Sequence, residues 1–98
     1  MNLKVQSIHF DADKKLLAFI REKVEKLETF YDHIIDGEVI LKLDNSSTEN
    51  KISEIKLNIP GKLLFAKEQA STFEEATDNA VEALRKQLTR YKEKIRGV

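Results

Sequence analysis

Cysteine is absent from this sequence, proline occurs once, and glycine occurs three times. The absence of cysteine excludes disulfide bonds, thiol catalysis and cysteine-ligated metal sites. The N-terminal residues contain no apolar stretch of the length that a signal peptide or a membrane span requires. We therefore expect a soluble, cytoplasmic protein that does not bind a membrane. A length of 98 residues allows one small domain, covering residues 1–98.

The residues that catalysis and metal binding require are also scarce. The three glycines are isolated, so there is no glycine-rich phosphate loop. His9 and His33 lie far apart, and neither has an acidic partner at metal-ligand spacing. Asp11 and Asp13 could bind a cation, although capping of the following helix is the commoner role. We predict no enzyme, no metal, no cofactor and no small-molecule substrate.

A long helix is predicted at the C-terminal end of the chain, over residues 73–96. Thr72 and Glu75 have the spacing of a capping box, and Gly97 supplies a stop. Apolar residues recur at steps of three and four, which places them on one side of the helix. This stripe consists of Phe73, Ala76, Ala80, Leu84, Leu88, Tyr91 and Ile95.

The charge of this helix is divided, although the whole chain has no net charge. Residues 71–83 hold four acids and no base, whereas residues 84–98 hold six bases and one acid. The helix dipole favours this polarity, but it acts only over the terminal turns. At 100° per residue, the bases form two rows on opposite flanks of the apolar stripe. One row is Lys86, Arg90 and Lys94, and the other is Arg85, Lys92 and Arg96.

Like charges four residues apart repel each other on a helix, by a few tenths of a kcal/mol per pair, roughly. Such rows are more easily understood if a polyanion normally lies against them, which favours a phosphate-binding surface. A solvated, lysine-rich helix face remains the alternative.

A second amphipathic helix is predicted from the cap at Asp13 to about Tyr31. Its buried stripe is Leu16, Ile20, Val24, Leu27 and Tyr31. Three lysines share one flank, and two phenylalanines lie beside them: Lys15, Lys23 and Lys26, with Phe19 and Phe30. Lysine next to an exposed aromatic ring suits RNA, whose bases stack on rings. Alternatively, the two phenylalanines widen the core stripe.

Between the helices the hydrophobic period changes to two, which indicates strands. The predicted strands are Asn2–Ile8, Glu38–Leu43, Glu54–Ile59 and Lys62–Lys67, with a Pro60–Gly61 turn before the last. The element order is therefore β-α-β-β-β-α. We predict an α+β fold, resembling a double-stranded RNA-binding domain, in which both helices pack on one face of a four-stranded, mainly antiparallel sheet. Glu54, Lys56 and Asn58 would then occupy the other face.

Three segments in this order resemble the short form of the ribosome hibernation-promoting factor and ribosome-associated inhibitor family, also called sigma-54 modulation proteins. They are K-L-E-T-F-Y-D-H-I (26–34), V-I-L-K-L (39–43) and A-L-R-K-Q-L-T-R-Y-K-E-K-I (83–95). The resemblance implies a domain that occupies the messenger and transfer RNA channel of the small ribosomal subunit. Translation would then be inhibited, and ribosomes would hibernate under stress or in stationary phase.

The resemblance also implies that basic residues on the two helices contact ribosomal RNA. The residues that match by position are Lys23, Lys26, Lys86, Arg90, Lys92 and Lys94. Charge alone adds Lys15, Arg85 and Arg96. The chain departs from the family in T-F-E-E-A-T-D (72–78), where an Asp-Met-Tyr-Ala-Ala-Ile-Asp-like opening is common.

The expected partners are the small ribosomal subunit and its RNA. The alternatives are a general double-stranded RNA-binding module and an adaptor that docks an acidic protein on the basic face. Longer family members carry a second, dimerising domain, which the sequence of residues 1–98 does not contain. We therefore expect a monomer in free solution.

Overall fold

The computed structural model describes residues 1–95 and has the predicted α+β architecture. Two helices cover one face of a four-stranded sheet. A short 3-10 helix follows the first helix directly. The elements in chain order are β1 (Asn2–Ser7), α1 (Lys14–Glu25), the 3-10 helix (Lys26–Thr29), β2 (Asp36–Leu43), β3 (Lys51–Ile59), β4 (Lys62–Ala70) and α2 (Phe73–Ile95).

The strands lie in the sheet in their sequence order, from β1 to β4. β1 pairs with β2 in parallel, and the two other pairings are antiparallel. A parallel pair cannot be joined by a tight turn, so α1 serves as the crossover between β1 and β2. The hairpin between β3 and β4 closes at Pro60 and Gly61. Gly61 has φ of 78°, a left-handed conformation that glycine adopts without strain.

The core lies between the sheet and the helices. Leu84 and Leu88 of α2 are fully buried, as are Ile20 and Val24 of α1. On β3, alternate residues point to this core, so that Ile55 is inaccessible to solvent whereas its successor Lys56 is exposed. This alternation confirms the period-two pattern. No helix within residues 1–95 is long and apolar enough to cross a membrane.

Both helices begin at the residues that the sequence indicated. The Asp13 carboxylate accepts a hydrogen bond from the Leu16 N–H at 2.8 Å, and the Thr72 hydroxyl accepts one from the Glu75 N–H at 3.1 Å. Each cap satisfies a backbone donor that has no partner within its helix.

The first helix is shorter than predicted, because α1 ends at Glu25 and the chain tightens into the 3-10 helix. The Thr29 hydroxyl donates to the Lys26 carbonyl at 2.7 Å, and the Phe30 N–H donates to the Leu27 carbonyl, three residues earlier, at 3.0 Å. These local bonds replace the regular helical ones. Leu27 and Tyr31 are nevertheless buried, as the apolar stripe required.

Three strands extend further than the alternating pattern, whereas β1 ends one residue earlier, at Ser7. β2 begins at Asp36, β3 begins at Lys51, and β4 continues to Ala70. The added residues are mostly polar, but they continue the backbone ladder; Lys51, for example, pairs with both Leu43 and Ala70. Pairing partners, rather than side-chain pattern, therefore set these strand ends.

The sheet face away from the helices carries Glu54, Lys56 and Asn58, as predicted. Glu54 is only 9% exposed there, because two lysines cover it. Its carboxylate lies 2.8 Å from Lys42 Nζ and 3.9 Å from Lys67 Nζ. Lys42 and Lys67 therefore pair with an acid of the sheet, and we do not group them with the basic residues of the helices.

One buried polar contact joins α2 to the sheet. The Thr77 hydroxyl donates to the Ser53 hydroxyl at 3.2 Å, and both residues are fully buried. A buried hydroxyl that loses its partner incurs a desolvation cost of about 1–3 kcal/mol. This contact therefore fixes where α2 lies along β3 more precisely than apolar packing alone.

We predict that Ser53→Ala and Thr77→Val each lower the free energy of unfolding by about 1–3 kcal/mol. The double variant should lose less than the sum of the two, by at least about 0.5 kcal/mol, because no hydroxyl is then left without a partner. Urea denaturation measures all three values. Thr89→Val is the matched control on the exposed side of α2 and should change stability by less than about 0.5 kcal/mol. Additive losses would contradict the prediction.

Candidate nucleic-acid interface

The basic residues of α2 lie on its two flanks, and the surroundings of the flanks differ. Arg85 and Lys92 lie on the flank nearer α1, and both contact Phe30, the residue that follows the 3-10 helix. Arg90 and Lys94 lie on the opposite flank, next to the start of β4. We call Lys86, Arg90 and Lys94 the outer row. Arg96 of the other predicted row lies outside the described residues.

Lys23 of α1 points towards α2 and is paired there. Its Nζ lies 3.4 Å from an Asp78 carboxylate oxygen and 5.5 Å from the centroid of the Phe19 ring. Asp78 belongs to the acidic first half of α2. One of the acids that the sequence assigned to the helix dipole thus neutralises a predicted RNA-binding lysine.

Arg85 has an acidic partner on its own helix. Its guanidinium donates two hydrogen bonds to the Glu82 carboxylate, one of them from Nε at 3.0 Å. The same group lies 5.7 Å from the centroid of the Phe30 ring, within cation–π range. The hydrogen bonds from Arg85 lower the pKa of Glu82, and those to Glu82 raise the pKa of Arg85. Arg85 is therefore held in place by contacts within the protein.

Lys92 also makes an internal contact. Its Nζ donates to the Phe30 backbone carbonyl at 2.7 Å, just beyond the 3-10 helix. A cation at the C-terminal end of a helix satisfies a free carbonyl and opposes the negative end of the dipole. Lys92 therefore links α2 to the end of the first helical segment.

The two remaining lysines of α1 are more exposed. Lys26 lies 3.7 Å from Glu22 in an exposed pair one turn apart, which stabilises a helix only weakly. Lys15 is exposed near the start of α1 and has no acidic group within 4 Å among residues 1–95. The structure therefore brings Lys23, Arg85 and Lys92 to the junction of the helices, whereas Lys15 lies apart from them.

The outer row has the properties expected of an anion-binding surface. All three side chains are exposed, and in the described part of the chain no acidic oxygen lies within 4 Å of them. Successive members are separated by about 6 Å along the helix axis. Three cations on a rigid helix, without acidic partners, form a positive strip that a sugar-phosphate backbone could follow.

Lys62 is a basic residue near this strip that the sequence pattern does not single out. It begins β4, immediately after the Pro60–Gly61 turn, and lines a surface cavity together with Arg90 and Lys94. The turn itself was predictable, but the position of the turn beside α2 is a property of the tertiary fold. In residues 1–95, no group of three or more histidine and acidic side chains could hold a metal ion.

The divergent opening of α2 is accommodated in the core. Phe73 is buried and stacks on Phe10, with ring centroids 5.0 Å apart and planes 11° from parallel. Glu74 is exposed at the first turn, where the helix dipole favours an acid. The start of α2 therefore forms despite the departure from the family pattern at residues 72–78.

Comparison with known proteins places this fold in a family. The model of the "Sigma 54 modulation protein / S30EA ribosomal protein" family matches residues 3–96. The chain belongs to this family. The resemblance found in the sequence is thereby confirmed.

Curated relatives of this family member include proteins named as ribosome hibernation factors. The chain is 27% identical over 96 residues to a ribosome hibernation promoting factor of Salmonella typhimurium, with 98% of each chain covered. It is 31% identical over 77 residues to a ribosome hibernation promotion factor of Deinococcus radiodurans, covering 76% of this chain and 40% of that protein.

Two solved structures share the fold. The N-terminal domain of Protein Y from Thermus thermophilus has a TM-score of 0.82 at 24% identity, covering 93% of this chain and 99% of that one. A ribosomal subunit interface protein from Coxiella burnetii has a TM-score of 0.85 at 19% identity, covering 95% and 99%. These likenesses confirm the β-α-β-β-β-α architecture.

We predict that Arg85→Gln raises the pKa of Glu82 towards its ordinary value, because the hydrogen bonds that favour the carboxylate are lost. The matched control is Lys86→Gln, which removes only a longer-range charge and should raise this pKa less. Carboxylate titration followed by nuclear magnetic resonance measures both.

The lowered pKa of Glu82 determines how this pair changes the stability of the folded protein with pH. The Arg85–Glu82 pair stabilises the folded state above the ordinary pKa of Glu82, and this contribution is lost as the pH falls through the lowered value. An unchanged Glu82 titration in Arg85→Gln would show that the pair does not persist in solution.

Proposed function

We propose that this protein is a non-enzymatic ribosome-binding factor that occupies the messenger and transfer RNA channel of the small subunit. It thereby inhibits translation and promotes ribosome hibernation under stress or in stationary phase. The observation that carries the proposal is the outer row: three exposed cations without acidic partners in residues 1–95, on a fold of this family. The names of the relatives supply the ribosome as the partner.

The proposed mechanism is steric and needs no catalytic group. A folded domain with principal extents of 45 × 24 × 18 Å fills a path that messenger and transfer RNA require. Phosphate contacts position a protein on nucleic acid without reading the sequence of its bases. This suits a factor that must bind every idle ribosome in the same way.

We call Lys23, Arg85 and Lys92, at the junction of the helices, the α1-side cations, and they contribute less to RNA binding in this proposal. Lys23, Arg85 and Lys92 already contact groups of the protein, so RNA would have to compete for them. No acidic oxygen of the described residues lies within 4 Å of the outer row, although Lys86 interacts with Glu82 at longer range. We therefore assign most of the electrostatic affinity to the outer row, and a smaller share to Lys15, Lys26 and the α1-side cations.

The comparisons favour neither of the two alternatives raised by the sequence. A general double-stranded RNA-binding module would bind generic duplex RNA as well as it binds small subunits. An adaptor for an acidic protein would bind neither. Competition between purified small subunits and duplex RNA therefore distinguishes the three functions.

We predict that the double variant Arg90→Glu/Lys94→Glu loses co-sedimentation with small ribosomal subunits but keeps its fold. Both side chains are exposed, so the reversal repels phosphate without disturbing the core. The matched control is Lys4→Glu/Lys56→Glu, which reverses two exposed lysines on the sheet face away from the helices. The control should bind as the wild-type protein does, and circular dichroism verifies the fold of each variant. Undiminished ribosome binding by the folded outer-row variant would remove the main hypothesis.

We also predict a steep dependence of binding on salt. Each neutralised phosphate contributes about −0.7 to −0.9 to the slope of log K against log salt concentration. Contacts by the whole outer row would therefore give a slope of about −2 or steeper. Titration of small-subunit binding between low and physiological salt measures this slope. A flat dependence would indicate an apolar, protein-to-protein contact instead.

A further inference from the structure

A cavity of about 270 Å³ lies on the surface between the start of β4 and the second half of α2. Three of its lining residues are cations, and none is an acid. The lining residues are Lys62, Leu64, Gln87, Arg90, Tyr91 and Lys94. Two members of the outer row thus share a concave site with a cation from a different element of the fold.

Two hydrogen bonds hold the walls of this cavity together. The Tyr91 hydroxyl donates to the Pro60 carbonyl at 3.1 Å, which ties the turn between β3 and β4 to α2. The Gln87 side-chain amide donates to the Phe65 carbonyl at 2.9 Å, which ties β4 to the same helix. The position of Lys62 relative to Arg90 and Lys94 is therefore set by the fold.

The aromatic and apolar lining also contributes to this arrangement. Lys62 Nζ lies 5.8 Å from the centroid of the Tyr91 ring, within range of a cation–π interaction. Leu64 is 2% exposed and belongs to the core beneath the cavity. Lys62 consequently lies over the ring at the cavity instead of extending away from the protein.

The charge of the cavity identifies the kind of ligand it suits. Three like charges around one concavity repel each other, and the described residues place no carboxylate within 4 Å of any of them. An anion that enters would relieve this repulsion. The guanidinium of Arg90 can bind two oxygens of one phosphate, whereas lysine ammonium groups act as point charges.

We propose that this cavity binds one phosphate group of an RNA backbone, with Lys62 as a contact residue in addition to Arg90 and Lys94. This rests on the proposed function, because it takes the phosphate from RNA. The interface then extends from the helices onto the turn between β3 and β4. The cavity fixes one phosphate at a defined point, whereas the rest of the outer row provides a positive strip.

Binding of Lys62→Gln to small ribosomal subunits, measured over a salt titration, tests this proposal. The variant should bind about threefold to tenfold more weakly at physiological salt, and its salt slope should be less steep by about one. Lys62→Arg keeps the charge and should restore both values. The matched control is Lys56→Gln, an exposed strand lysine on the opposite side of the sheet, which should leave both values unchanged.

The outcomes separate this proposal from the function on which it rests. If the wild-type protein binds and Arg90→Glu/Lys94→Glu does not, but Lys62→Gln matches Lys56→Gln, the cavity proposal is overturned and the proposed function stands. If the wild-type protein does not bind small subunits, the proposed function fails. The cavity is then tested by RNA alone.

That test is a titration of the ¹⁵N-labelled protein with a short single-stranded RNA, and separately with inorganic phosphate at equal phosphate concentration. RNA should shift the amide signals of residues 61–64 and Tyr91 in the wild-type protein, and these shifts should be at least threefold smaller in Lys62→Gln. Equal shifts in the two proteins would overturn the role of Lys62. Equal midpoints for RNA and inorganic phosphate would overturn the assignment to RNA.

Discussion

The packing of α2 across β3 and β4 is the interaction on which the fold and the candidate interface both depend. Leu84 and Leu88 are inaccessible to solvent, and the buried hydrogen bond between Thr77 and Ser53 sets the position of the helix along β3. Burial of one large aliphatic side chain contributes about 1.5–3 kcal/mol. Because this stripe fixes the rotation of α2, it also determines which basic residues face α1 and which face the turn before β4.

The fold, as well as the sequence, therefore separates the positive charges of the protein from its negative charges. Acids in the first half of α2 partner the cations near α1, as Asp78 partners Lys23 and Glu82 partners Arg85. The outer row has no such partner among residues 1–95. A chain without net charge can therefore present a positive surface, because its negative charge is placed on other parts of the same fold.

Features that depend on residues close together in the sequence were predictable. Periodicity located α2, and the short-range caps at Asp13 and Thr72 located the starts of both helices. The end of α1 was not predictable, because the chain tightens where Leu27 enters the core and Lys92 reaches the Phe30 carbonyl. These contacts join residues that lie far apart in the sequence.

The residues of the candidate site were also predictable only in part. The helical repeat alone places Lys86, Arg90 and Lys94 on one flank of α2. Lys62 was missed because its pattern is that of an ordinary strand residue, and only the tertiary fold places the turn beside Tyr91. The pairing of Lys23 with Asp78 was missed for the same reason. Sequence therefore predicts where charge lies on an element, but not which element lies beside it.

The hairpin of β3 and β4, followed directly by α2, has a further consequence for the order of folding. Residues 51–95 contain both walls of the cavity and the whole outer row, and the β3–β4 hairpin in this segment pairs strands that are adjacent in the sequence. Contacts between adjacent elements have the lowest cost of loop closure, whereas the parallel pairing of β1 and β2 must wait for the α1 crossover. We therefore expect the β3–β4 hairpin to form first, and the positive surface to be completed when α2 packs on it.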